Sequence, residues 1–107
     1  MNDKRLLQLE ALMASDPSDP FLPYAIAQEF ASARKWDEAA TRLEAIYGQF
    51  PDYLATYYQW GMALIHLNEL SKAMDVLQKG YTLANRQGEK KVANEIGALI
   101  EELEDEL

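Results

Sequence analysis

Apolar residues recur along this chain at spacings of three and four. The C-terminal stretch shows it most plainly: Val92, Ile96, Leu99, Ile100 and Leu103 share one helical face, and Glu, Lys and Asn fill the other. No stretch alternates apolar and polar for long, and no Asn-Gly or Asp-Gly pair offers a hairpin turn. The pattern predicts helices throughout and no sheet.

Breaks in the pattern divide the chain. "SDPSDP" (15–20) closes the first helix, because a residue before proline is pushed out of the α region. "ARKW" (33–36) is a tight connection, and Asp37 and Glu38 bring negative charge to the next helix start. "FPD" (50–52) is a second break, with Asp52 placed to cap the fourth helix. "NELS" (68–71) is the next turn, and "NRQGE" (85–89) offers Gly88 as a left-handed stop. These breaks leave six helices, near 3–14, 20–33, 37–49, 53–67, 71–85 and 89–106.

Sliding the chain by 34 residues lays Tyr24 on Tyr58, Ala39 on Ala73, Leu43 on Leu77 and Tyr47 on Tyr81. The same shift pairs Ala27 with Gly61, Ile26 with Trp60, Phe30 with Leu64, and carried backwards sets Pro17 on Pro51 and Leu9 on Leu43. Residue class and turn positions agree as well as identities do.

A 34-residue period with two helices per unit resembles the tetratricopeptide repeat (TPR) family. Residues 20–53 supply Pro23, Ile26, Ala27, Phe30, Ala39, Leu43, Ile46 and Pro51 to that family's pattern. Residues 54–87 supply Tyr57, Trp60, Gly61, Leu64, Ala73, Leu77, Gly80 and, where proline is usual, Asn85. Pro23 departs from the usual aromatic, but the first helical turn tolerates proline. Gly80 costs about 1 kcal/mol against alanine in a helix interior, and Asn85 suggests that the last break differs from its predecessors.

The resemblance implies an all-α fold, an α–α superhelix forming a right-handed solenoid of about six antiparallel helices. One domain, 1–107, is expected: an N-terminal half-repeat or cap at 3–17, repeats at 20–53 and 54–87, and a capping helix at 89–106. A lone helix pair leaves one face bare, so repeats need neighbours and caps. Met1 in frame at one end and a capping helix at the other read as a complete chain.

Charge narrows the partners. The net charge of −8 repels phosphate backbones, and the basic residues come only in pairs, Lys4–Arg5, Arg34–Lys35 and Lys90–Lys91, so nucleic acid is not the expected ligand. No apolar run approaches the ~20 residues of a membrane span. The N-terminus, interrupted by Gln8 and Glu10, lacks a signal-peptide cleavage pattern. With no cysteine to indicate a redox compartment, a cytoplasmic location is expected.

Catalytic chemistry finds no foothold. The single histidine is His66, and none of Ser15, Ser18, Ser32 and Ser71 sits in a Gly-x-Ser-x-Gly turn. The five glycines are scattered, so there is no phosphate loop, and "DPSDP" is too poor in ligands for a metal. Neither an enzyme nor a cofactor is expected. "EELEDEL" (101–107) reads as the solvated face of a terminal helix, Leu103 and Leu107 facing inward and the last turn frayed by charge opposing the dipole.

In TPR proteins the first helix of each pair lines a concave groove that takes a protein or peptide. Carried over by register, that lining is Phe21, Tyr24, Gln28, Ala31 and Ser32, then Ala55, Tyr58, Gln59, Met62, Ile65 and His66. The capping helix would add Glu89, Val92, Ala93 and Ile96. The carboxylate clamp of one TPR subtype is missing, its matching positions being Tyr24, Gln28, Gln59, Glu89 and Ala93. Within "YLATYYQWGMAL" (53–64), Tyr57, Trp60 and Leu64 are expected in the core, with Gly61 admitting the paired helix. Tyr53 is expected to pack between repeats, and Tyr58 to point into the groove, as Tyr24 does. The resemblance thus implies a protein-interaction module, an adaptor or scaffold, monomeric or weakly dimeric. The alternative is a structural protein that self-associates through surplus apolar residues such as Leu7, Met13, Ile100 and Leu107.

Overall fold

Six helices and no strand make up the computed structural model, which describes all of residues 1–107. They are α1 (Asp3–Ser15), α2 (Phe21–Ser32), α3 (Trp36–Gln49), α4 (Ala55–His66), α5 (Leu70–Gln87) and α6 (Lys90–Glu104). They fall into two compact units, Met1–Tyr53 and Leu54–Leu107.

In the first unit α1 packs on α2 and α2 on α3. Leu9, Leu22, Ala25, Ile26, Phe30 and Ala39 form a buried cluster, with Leu6, Met13 and Ala31 packed against it. The start of α1 is capped by Asn2, whose Oδ1 accepts from the Arg5 amide at 2.9 Å. Arg5 then reaches Glu29 in an ion pair that ties α1 to α2. Asp19 Oδ1 accepts from the Phe21 amide at 2.9 Å, satisfying one free donor at the start of α2. Pro23, inside the same first turn, has no hydrogen bond to lose.

In the second unit α4 packs on α5 and α5 on α6. Two glycines set how closely these helices approach. A Cβ at Gly61 would collide with the Leu77 side chain, and one at Gly80 would stand 2.5 Å from Tyr57 Cβ and 3.1 Å from Ile96 Cδ1. Gly80 therefore lets α5 touch both of its neighbours, which offsets its helix-propensity cost.

The repeat is written into the backbone. Arg34 and Asn68, 34 positions apart, both adopt left-handed conformations with φ of 59° and 61°. After each, the next amide bonds back across six residues, Lys35 N to Phe30 O and Glu69 N to Leu64 O, both at 2.9 Å. Gly88 (φ 75°) closes α5 in the same manner, with Glu89 N donating to Ala84 O at 2.8 Å. One turn chemistry thus serves three helix junctions.

The expected elements are present, with local differences. Without a proline, α5 runs through Asn85 to Gln87 and reaches 18 residues against 14 in α3. Leu54 rather than Asp52 holds the N-cap position of α4. The acidic end stops α6 at Glu104, leaving Leu103 buried but Leu107 64% exposed rather than facing inward.

Candidate functional site

Burial separates scaffold from surface on the first helix of each repeat. On α2 the interior takes Leu22, Ala25, Ile26, Ala27 and Phe30. That leaves Phe21, Tyr24, Gln28 and Ser32, spaced by three and four, as a strip on the other face. Phe21 and Ser32 are exposed, and Tyr24 and Gln28 half-buried. On α4 the interior takes Thr56, Tyr57, Trp60, Gly61, Ala63 and Leu64. Tyr58, Gln59, Met62 and Ile65 remain half-buried, and His66 is exposed at the last position of the helix. Four of the five residues expected on α2 and all six expected on α4, the exposed Ala55 included, stay out of the interior.

Three other expected lining positions lie elsewhere. Ala93 and Ile96 are buried by the packing of α6 and belong to the core. Ala31 is packed against the hydrophobic cluster of the first unit.

The two strips differ around their tyrosines. Tyr53, expected to pack between repeats, stands edge-on to Tyr24 within the first unit, with ring centroids 5.7 Å apart and planes at 71°. Burial, and the negative charge Tyr53 would carry, raise the Tyr24 phenol above its ordinary pKa. Burial and nearby Asp19 do the same to Tyr53. Both rings stay neutral across the physiological range and offer hydroxyls as donors. The residue 34 positions beyond Tyr53 is Gln87, so Tyr58 has no matching ring in its own repeat frame.

The α2 strip carries no charged side chain, so its contacts are aromatic, amide and hydroxyl. The α4 strip adds the aliphatic and thioether surface of Ile65 and Met62, suited to irregular apolar contacts. No cluster of three or more His, Asp or Glu side chains is gathered to hold a metal ion. No helix is long and apolar enough to cross a membrane.

Two features escaped sequence reasoning. The Tyr24–Tyr53 pair joins residues in different structural elements, and no spacing rule couples them. The second is a cleft between α1, α2 and α3, whose signal was Pro23 standing where the next repeat has Tyr57.

Known structures share this helical fold. A tetratricopeptide repeat domain protein from Salinibacter ruber, solved in solution, is 31% identical over 84% of this chain and 91% of that one, with a TM-score of 0.78. The chain belongs to the tetratricopeptide repeat family. A crystal structure from the same organism, also of a tetratricopeptide repeat domain protein, gives 30% identity, a TM-score of 0.76, and coverage of 80% and 97%. A protein from Bordetella parapertussis shares the fold at 22% identity, with a TM-score of 0.82 over 94% of this chain and 88% of that one. No family model and no curated protein matches the chain. The TPR fold is one that generally mediates protein–protein interaction.

Proposed function

We propose that this TPR protein is an adaptor or scaffold that binds a segment of a partner protein on the outward strips of α2 and α4. The observation that supports it is the repeat-equivalent pair Tyr24 and Tyr58, each kept out of the interior beside an amide side chain, Gln28 or Gln59. Tyrosine provides rigid contact area with few rotamers to freeze, and the amides can read a peptide backbone. A cytoplasmic site of action fits this reading. The test is amide mapping of the folded chain with a segment of a partner recovered from the native host. Shifts gathered at Tyr24, Gln28, Tyr58 and Met62 are the expected result. Shifts confined to α6 and the outward face of α5 would overturn the proposal.

A second reading, self-association, draws support from α1, where Leu7 is 68% and Leu12 55% exposed. Of the other residues expected to serve it, Leu107 is 64% exposed, whereas Met13 and Ile100 are half-buried, and α6 turns Lys91, Asn94, Glu95 and Glu102 to solvent. Light scattering on a sizing column decides between the readings: a mass that stays monomeric at high concentration removes the second.

A further inference from the structure

The same four repeat positions are filled in the second unit and open in the first. In the second they are Tyr57, Val76, Gly80 and Leu83, with Tyr57, Val76 and Leu83 buried and Tyr57 lying against Gly80. Counting back 34 residues gives Pro23, Arg42, Ile46 and Gln49. There the tyrosine ring has become a proline, and two apolar walls have become polar. With Met13 and Ala45, these residues line a cleft of about 230 Å³ built from all three helices of the first unit. That is below the ~300–1,000 Å³ of a site for a drug-sized ligand, and suits one side chain.

The second unit shows what the position accommodates. Its own aromatic ring, Tyr57, sits in this register against Gly80, whose counterpart in the first unit is Ile46. Charge supplies the other half of the argument. The chain carries a net charge of −8, yet the cleft is lined by one cation, Arg42, and by no carboxylate. Arg42 is held in place twice: Nε donates to Glu38 Oε1 at 3.1 Å, and the guanidinium lies 4.5 Å from the Phe30 ring centroid. Its side chain is still 38% exposed. A guanidinium has five N–H donors in a fork, so most stay available to a second carboxylate.

We propose that this cleft is a docking site for one aromatic side chain of a partner protein, with an acidic residue beside it in the partner pairing with Arg42. It lies apart from the α2 strip, being lined on α2 by Pro23 rather than by Tyr24 or Gln28. It holds whichever surface binds the main partner segment.

The probe is the capped peptide acetyl-Ala-Tyr-Asp-Ala-amide, titrated into the labelled full chain up to about 10 mM, a range suited to one ring and one ion pair. Saturable amide shifts at Met13, Arg42, Ile46 and Gln49 are expected. Replacing the peptide tyrosine by alanine should abolish them, and replacing its aspartate by asparagine should weaken binding about fivefold. In Arg42→Gln the two tyrosine peptides should bind alike, and Ala45→Trp, which fills the cleft mouth from a solvent-exposed position, should bind neither. Spectra of both variants without peptide establish that they are folded. Absence of saturable shifts, an equal response to the alanine peptide, or an acid preference surviving in Arg42→Gln would overturn the proposal. Shifts confined to Phe21, Tyr24, Gln28 and Ser32 would also overturn it, while leaving the proposed function standing.

Discussion

The two units use one helix-pair plan with opposite distributions of bulk. In the second, a large residue on the first helix meets a small one on the second, Tyr57 against Gly80. In the first, Pro23 faces Ile46 at the same register, and the space left over is a polar-rimmed cleft. Aromatic bulk is instead spent at the surface, where Tyr53 packs edge-on against Tyr24. At this register the closer helix approach therefore belongs to the second unit, and the edge-on ring pair to the first. A repeat frame fixes where side chains go and leaves open which partner fills a given space: a neighbour in the chain or another protein.

The largest expected effect is at Trp60, 5% exposed on α4. Trp60→Ala should lower stability by about 3–5 kcal/mol in urea unfolding. Its counterpart Ile26, fully buried in the first unit, should lose about 2–5 kcal/mol on the same change. A negligible loss at Trp60 would break the assignment of that residue to the scaffold.

The glycines sharpen the contrast. Gly80→Ala should destabilise by about 1–3 kcal/mol, because the new methyl meets Tyr57 Cβ next to the backbone, where rotation cannot relieve it. Gly48→Ala in α3 meets nothing within 4 Å and should stabilise by up to about 1 kcal/mol. The two midpoints should move in opposite directions.

Thr56 is fully buried and its hydroxyl has no hydrogen-bond partner, whereas its counterpart Leu22 is apolar. Thr56→Val should therefore stabilise by about 1 kcal/mol.

The paired left-handed turns give a smaller difference. Arg34→Gly should gain about 0.5–1 kcal/mol by removing a Cβ from a positive-φ position. Asn68→Gly should gain less, since asparagine tolerates that conformation better. Equal gains would show that the shared geometry does not set the cost.

The finest test is alkaline. The folded first unit raises the pKa of Tyr24 and Tyr53, so it holds protons that the unfolded chain releases above about pH 10. That contribution is complete below the unfolded value and is lost as pH rises through the higher folded values. Stability followed upward from neutral pH should fall in that alkaline window, and less steeply in Tyr53→Phe.

Much of the fold was legible in the sequence because it rests on local rules. Helical spacing, prolines at breaks and Gly88 all act within a few residues, and the 34-residue register then carries the core from Ile26 and Phe30 to Trp60 and Leu64. The strips on α2 and α4 were legible for the same reason, since a residue's face on a helix is set by its spacing. The features that were not legible depend on distant side chains. The Tyr24–Tyr53 contact, the burial of Ala93 and Ile96, and the opening left beside Pro23 all depend on how helices meet. Asp52 shows the limit locally: its chemistry suits a cap, but α4 starts beyond it.

The central claim is that repeat-equivalent tyrosines form the working surface. Calorimetric titration of the recovered partner segment into Tyr24→Ala/Tyr58→Ala, beside the unaltered chain, tests it most directly. Losing a ring at each strip should cost about 2 kcal/mol or more apiece, a combined fall in affinity on the order of a thousandfold or greater, with helical content retained. Unchanged affinity in the folded double variant would contradict it.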